Sequence, residues 1–151
     1  MHWYQPIEQR IIDWRKFRQS LTGDDIPSDL LAVQQFWYTS PWRKLSQLRE
    51  DHNSWPTPWN LLESMSYCDL ARALGMFYTI KLSPALGHLD ANLVILDGVA
   101  DRASIVEIDQ GKYILNFNPD KLVNTSCISS EYCQRRVYTP NDFKTLGDQG
   151  K

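Results

Sequence analysis

Residues 103–119, with the sequence ASIVEIDQGKYILNFNP, decide the fold of this chain of 151 residues. The stretches on either side of residues 109–111 (DQG) follow the two-residue period of β-strands. Aspartate and glycine are typical of the tight turn that joins two antiparallel strands. The sequence therefore predicts a β-hairpin with strands over residues 104–108 and 112–117.

The rest of the chain adds helices before this hairpin and further strands around it. Residues 77–82 and 92–96 have the same two-residue period, and a short strand is expected at residues 136–138. Earlier in the chain, apolar residues recur at the helical spacing of three and four. N-terminal helices followed by a small antiparallel sheet define the α+β class, which we predict for this protein. The expected helices cover residues 5–21, 28–37 and 41–50, with a fourth starting at Pro58 behind the N-cap Thr57 and a fifth after Ser66.

The length of the chain predicts one domain over residues 1–151, because a chain of this size buries one full core. Within that domain we distinguish a helical half (residues 1–76), a sheet half (residues 77–138) and a tail (residues 139–151). All six tryptophans lie in the first 59 residues, so the helical half is rich in tryptophan.

Charge and composition exclude several classes of partner. Sixteen Lys and Arg residues against eighteen Asp and Glu give a net charge of −2, which leaves no positive excess for binding nucleic acid or an anionic membrane. The sequence has no run of about 18 apolar residues, and its first ten residues lack the apolar core of a signal peptide. We expect no nucleic-acid or membrane partner, and synthesis in a reducing cytoplasm.

The cysteines and acidic residues predict no cofactor. Cys68, Cys127 and Cys133 show no Cys-x-x-Cys spacing, so neither a disulfide scaffold nor a structural zinc site is expected. Asp97 and Asp109 stand where turns need such residues, and we predict no metal site from them.

The positions of the aromatic residues divide them into two groups. Trp14 and Trp37 fall on helical stripes, which places them in the core. Tryptophan and tyrosine are enriched at interface hot spots, and six indoles exceed what the short helices must bury. The aromatic residues near a chain end or a proline are therefore predicted to face a partner: Trp3, Tyr4, Trp42 and Trp55.

Cys68 is the candidate for chemistry. It stands at the predicted start of a helix, where the partial positive charge lowers the pKa of a thiol. Asp69 beside it adds a negative charge that opposes thiolate formation. A nucleophilic thiol also needs a base, and His88 could supply one from a different loop. The alternative interpretation is a buried cysteine that acts as a small hydrophobic residue.

A cysteine that opens a helix, followed by the hairpin of residues 103–119, resembles the papain-like and transglutaminase-like folds. In those families the hairpin begins with the catalytic histidine and ends with an aspartate. Ser104 and Asn118 stand at these two places here. The resemblance therefore implies a degenerate transglutaminase-like sheet that has lost two of its three catalytic groups.

A second resemblance rests on residues 55–62 (WPTPWNLL), 67–68 (YC) and 71–79 (ARALGMFYT), together with residues 33–37 and 111–117. These strings resemble small proteins of contractile-tailed bacteriophages, including cyanophages. The resemblance implies a non-enzymatic structural or assembly subunit of the virion tail baseplate or neck. Its partners would be other virion proteins within a larger complex, and it would be made in the host cytoplasm. We expect the polar stretch 145–151 to contact neighbouring subunits.

Two other functions are compatible with the sequence. One is a cysteine hydrolase or acyltransferase that uses Cys68 with His88. The other is a small cytosolic regulator that binds a host protein.

Overall fold

The structure is a computed structural model that describes residues 1–46, 48, 51–99, 101–128, 132–143 and 146. These residues form an α+β fold with four α-helices and one five-stranded antiparallel sheet, which confirms the predicted fold class. Among them, no helix is long and apolar enough to cross a membrane. The helices are α1 (Ile7–Ser20), α2 (Ile26–Tyr38), α3 (Pro58–Leu62) and α4 (Asp69–Leu82). The strands are β1 (Ala91–Gly98), β2 (Arg102–Ile108), β3 (Tyr113–Asn118), β4 (Lys121–Val123) and β5 (Tyr132–Tyr138).

Helix α4 is the central element and corrects the predicted strand over residues 77–82, which is helical. Ten consecutive residues of α4, 71–80, are buried. A helix that is buried on all sides has no amphipathic stripe, so its sequence period does not distinguish it from a strand. The predicted boundary between the two halves at residue 76 therefore falls inside a helix.

The other helices follow the predictions except at two places. The start of α3 is as expected, since Oγ1 of Thr57 accepts a hydrogen bond of 3.1 Å from the backbone N–H of Asn60. Helix α2 begins at Ile26 rather than Ser28, because Asp25 is its N-cap and accepts the backbone N–H of Ser28. The helix predicted over residues 41–50 is absent from the described part of that segment.

The sheet has the strand order β4-β3-β2-β1-β5. The predicted hairpin is confirmed as β2 and β3, and Asp109, Gln110 and Gly111 have the positive φ angles of a tight turn. Alternate residues of the strands pack against the helices, among them Leu93, Ile95 and Val106. A second apolar cluster covers the opposite face. Most of the tail, including 145 and 147–151, lies outside the described residues, so its expected contacts stay a prediction.

Trp14 and Trp37 lie in the core, as predicted. Both indole N–H groups donate to Oγ1 of Thr79 on α4, each at 2.9 Å. Trp37 also packs against Gly75, where an added Cβ would lie 2.5 Å from the indole ring. One threonine and one glycine of α4 thus fix the positions of α1 and α2.

The expected exposure of the remaining aromatic residues is only half correct. Trp3 and Trp55 are 5% and 7% exposed. Trp3 packs against Trp37 and Tyr67, and its indole donates to Oγ1 of Thr39 at 2.8 Å. Their position near a chain end or a proline does not expose them, because neighbouring rings enclose both, and they offer no surface to a partner.

Tyr4 and Trp42 are exposed, with 71% and 53% of their surfaces accessible. Their contact with a partner stays a prediction.

Candidate active site

A cavity of about 160 Å³ opens where the N-terminus of α4 meets the sheet. Its walls come from the segment before α3, from the first turn of α4 and from strands β1, β2 and β5. The residues that line it are Lys44, Ser46, Leu48, Cys68, Asp69, Leu70, Ile95, Arg102, Ser104 and Arg136.

The register of the sheet explains which side chains form the floor of this cavity. Ile95 of β1 is paired with Ser104 of β2 on one side and with Arg136 of β5 on the other. Asp97, two residues along β1, is paired with Arg102. Residues two apart on a strand share a face, so both rows point toward α4.

Cys68 is the N-cap of α4 and is 1% exposed. Its carbonyl accepts the first intrahelical bond, 3.0 Å from the backbone N–H of Arg72. The backbone N–H of the preceding residue, Tyr67, donates to the Pro41 carbonyl at 2.7 Å, and the Tyr67 carbonyl accepts the backbone N–H of Arg43 at 3.0 Å. This pairing fixes the backbone just before the thiol. Within the described part of the chain no side chain forms a capping hydrogen bond at the start of α4, so the positive end of the helix faces the region of the thiol.

The strand-like segment at Trp42 is held in place from the helix side. The Arg72 guanidinium donates to the Ser40 carbonyl at 2.7 Å and lies 4.6 Å from the Trp42 ring centroid. Lys44 and Ser46 follow in the same segment and form the outer wall of the cavity.

A buried polar cluster connects Asp69 to the sheet. Oδ2 of Asp69 accepts the backbone N–H of Ser104 at 2.8 Å, and Oδ1 accepts Nδ2 of Asn116 at 3.1 Å. Burial raises the pKa of Asp69, and these hydrogen bonds only partly oppose that effect. The cavity wall therefore holds a carboxyl group that gains a proton more readily than a solvated aspartate does.

Asn116, rather than Asn118, is the asparagine of this cluster. Its Nδ2 also donates to the Ser104 carbonyl at 2.8 Å, and its backbone N–H donates to Oε1 of Gln34 at 2.7 Å. Its φ of 69° lies in the left-handed region, which turns its side chain toward α4. Asn118 instead accepts the backbone N–H of Asp120 in the turn that leads to β4. The cluster thus contains Asn116 and not Asn118, which the family resemblance singles out, and the strand pairing is irregular between Ile114 and Asn118.

The structure does not bring His88 to Cys68. His88 is exposed on the loop after α4, whereas Cys68 precedes that helix. Fourteen helical residues separate the two ends by roughly 21 Å. The chain's three histidines, His2, His52 and His88, are all described, and none of them lines the cavity. The predicted pairing of a thiol with an imidazole is wrong for this reason.

The basic side chains of the cavity are the residues that sequence reasoning missed. Lys44, Arg102 and Arg136 come from three separate segments, and only the register of the sheet unites them. Asp97 lies between the two arginines, 2.8 Å from Nε of Arg102 and 3.1 Å from Nε of Arg136. Burial acts to raise the pKa of Asp97, but the hydrogen bonds from the two arginines outweigh it and hold that pKa below its usual value.

Comparisons with known proteins identify the fold. The sequence matches no protein-family model and no curated protein. Among solved structures, it is similar to Legionella pneumophila LapG, with a TM-score of 0.68 and 14% identity over 97% of this chain and 86% of that chain. Calcium-bound LapG matches with a TM-score of 0.66 and 11% identity over 98% of this chain and 93% of that chain. EGTA-treated LapG matches with a TM-score of 0.63 and 15% identity over 82% of this chain and 69% of that chain.

This likeness corrects the expectation of a non-enzymatic virion subunit. The structures that it resembles are those of LapG, which has a transglutaminase-like cysteine protease fold, and this finding contradicts a non-enzymatic structural part of a phage. The resemblance to phage proteins receives no support from these neighbours. A location in a virion and virion partners stay predictions. At 11–15% identity the likeness shows the fold alone, and the chain therefore has a transglutaminase-like α+β fold.

Proposed function

We propose that this protein is a thiol-dependent hydrolase or acyltransferase in which Cys68 is the nucleophile. The observation that supports this most is the position of Cys68 at the N-terminus of α4, on the wall of a cavity that Ser104 also lines. The likeness to a fold that contains a cysteine protease adds to it.

The charges around the cavity favour a reactive thiol. The uncapped N-terminus of α4 and the three basic residues of the cavity stabilise a negative charge on sulfur. Asp69 opposes this effect only while it is ionised. Because burial raises the pKa of Asp69, this carboxylate takes up a proton at a higher pH than a solvated aspartate does.

Asp69 is also the proton acceptor in this proposal. It adjoins Cys68 in sequence and lines the same cavity, where no histidine is present to act as a base. A carboxylate whose pKa is raised toward neutrality is a better base than a solvated one. Its hydrogen bonds from Ser104 and Asn116 hold the carboxylate in a fixed orientation.

The proposed reaction forms a thioester and then consumes it. The thiol gives its proton to Asp69, and sulfur attacks the carbonyl carbon of an ester or amide. The bond to the leaving group breaks as Asp69 returns the proton to that group. Water or an amine then attacks the thioester, which releases the acid or the new amide and restores the thiol.

One LapG structure is calcium-bound and another is EGTA-treated, so we compared the described residues with what a calcium site needs. Within the described ranges, no group of three or more His, Cys, Asp or Glu side chains could hold a metal ion. No step of the proposed reaction is therefore assigned to calcium.

The experiment compares the three cysteines of one molecule. We expect iodoacetamide at pH 7 to alkylate Cys68 at least tenfold faster than the exposed Cys127 and Cys133, as read by peptide mass spectrometry. We also expect 4-nitrophenyl acetate to acetylate Cys68, and Cys68→Ala to abolish the burst of nitrophenol. A Cys68 that reacts no faster than the exposed cysteines and forms no acetyl adduct would contradict the proposal.

A further inference from the structure

The cavity beside Cys68 has a positively charged wall that suits an anionic ligand as well as a thiolate on Cys68. Lys44 stands on one side, and Arg102 and Arg136 stand on the sheet. Among the described residues, one acidic side chain, Asp69, lines the cavity beside these three positive charges, and Asp97 is paired with the two arginines. The balance is positive even when both carboxylates are counted as ionised.

Asp97 orients the guanidinium group of Arg136 without occupying all of its donors. It accepts Nε and Nη2 of Arg136 at 3.1 and 3.4 Å. A guanidinium has five N–H donors, and among the described residues Nη1 of Arg136 has no protein partner. Arg136 lines the cavity and is only about one-third exposed, with 34% of its side chain accessible. Such a group in a partly dry cavity is suited to a planar anion.

The volume of the cavity and the position of its basic residues restrict the size and shape of the ligand. A volume of about 160 Å³ is close to that of an engineered cavity that holds one benzene molecule. It therefore accepts one side chain or one short acyl group. Ser104 and Arg136 flank Ile95 in one row across the sheet, so an anion at Arg136 is two strands from Ser104. Adjacent strands are about 4.8 Å apart, which gives roughly 10 Å between those two backbones.

We propose that Arg136, with Arg102 and Lys44, forms a carboxylate-binding subsite for the acyl substrate of Cys68. This inference rests on the proposed function, and it specifies the substrate as an acyl group with a carboxylate a few bonds from the reacting carbonyl. Both an acidic side chain and a chain-terminal carboxylate have this chemistry.

The test measures binding without thiol chemistry. Three ligands are titrated into the protein of 151 residues and followed by amide NMR: N-acetylglutamate α-amide, N-acetylglutamine and N-acetylglutamine α-amide. The first has only a side-chain carboxylate, the second only a terminal one, and the third has none. We expect at least one charged ligand to bind tenfold or more tightly than the neutral one, with shifts at Ser104 and Arg136. The tighter charged ligand identifies the source of the carboxylate.

Substitutions test whether the basic residues of the cavity cause the preference for charged ligands. Arg136→Gln should weaken binding of the preferred ligand about tenfold, and Lys44→Gln, at an exposed position outside the helices and sheet, should weaken it about threefold. Lys16→Gln removes an equal charge from the exposed face of α1 and should change nothing. Equal binding of all three ligands would overturn the subsite. So would unchanged binding in both Arg136→Gln and Lys44→Gln.

A second readout separates this inference from the proposed function. The ratio of alkylation rates by iodoacetate and iodoacetamide should be at least fivefold higher at Cys68 than at Cys127, and Arg136→Gln should reduce it. Fast alkylation of Cys68 without charge preference overturns the subsite but leaves the thiol enzyme. Carboxylate binding together with an inert Cys68 supports the anion site and contradicts the acyl-transfer function.

Discussion

The backbone N–H of Ser104 lies 2.8 Å from Oδ2 of Asp69, so strand β2 is hydrogen-bonded to the first residue of helix α4. This bond joins the two elements that form the cavity. Its acceptor is an ionisable group, and burial raises the pKa of that group. The junction of helix and sheet is therefore coupled to pH.

Asp69→Asn should remove that pH dependence. A carboxyl with a raised folded-state pKa favours the folded state most below its unfolded pKa, about 3.9. The free energy of unfolding then falls as pH rises from there through the folded pKa. Urea unfolding from pH 3.5 to 7 should show this decline in the wild type relative to Asp69→Asn. If the free energies of unfolding of the two proteins changed with pH in parallel, the pKa of Asp69 would not be raised by folding.

Asn116→Asp should destabilise the protein at pH 7 and much less at pH 4. The new carboxylate would replace an amide that donates to Oδ1 of Asp69 at 3.1 Å, and two close carboxylates cannot both ionise readily. The loss of the buried donor alone costs about 1–3 kcal/mol. Asn118→Asp is the matched control, because it keeps the acceptor for the backbone N–H of Asp120 and lies outside the cluster. Equal effects of both changes would refute the assignment of Asn116.

The elements that could be predicted from sequence are those fixed by local chemistry. The hairpin turn at residues 109–111 and the N-cap Thr57 depend on residues close in the chain, and both are found where expected. Helix α4 was misjudged beyond residue 76, because a fully buried helix lacks an amphipathic period. The predicted fold class is nevertheless correct, because the hairpin and β1 are recognisable in the sequence.

The cavity was only partly predictable. Cys68 is predictable because a helix start is visible in the sequence, and Ser104 because the family resemblance places the catalytic histidine at that position. Arg102 and Arg136 gave no local signal, since pairing across β1 brings them together. Asn116 was missed in favour of Asn118 because a left-handed residue within a strand has no simple sequence pattern when it is not glycine.

Thr79→Val should reduce the free energy of unfolding substantially. Oγ1 of Thr79 accepts the indole N–H of both Trp14 and Trp37. Valine has nearly the same shape but leaves two buried donors without an acceptor, at about 1–3 kcal/mol each. Thr79→Ser keeps the hydroxyl and should lose much less in the same urea titration. If valine and serine proved equally stable, the shared hydrogen bond would not be what holds the two indoles.

Ser104→His should accelerate the reaction of Cys68 with iodoacetamide. Ser104 lines the cavity with Cys68, so an imidazole placed there can accept the thiol proton once it is neutral, above about pH 6.5. We expect at least a fivefold higher rate at pH 7.5 and little change at pH 5.5, where the imidazole is charged. His88→Ala is the control and should leave the rate unchanged, because His88 lies beyond the opposite end of α4. A slower reaction in His88→Ala would mean that this imidazole reaches the thiol, and an unchanged rate in a folded Ser104→His would mean that position 104 does not face it.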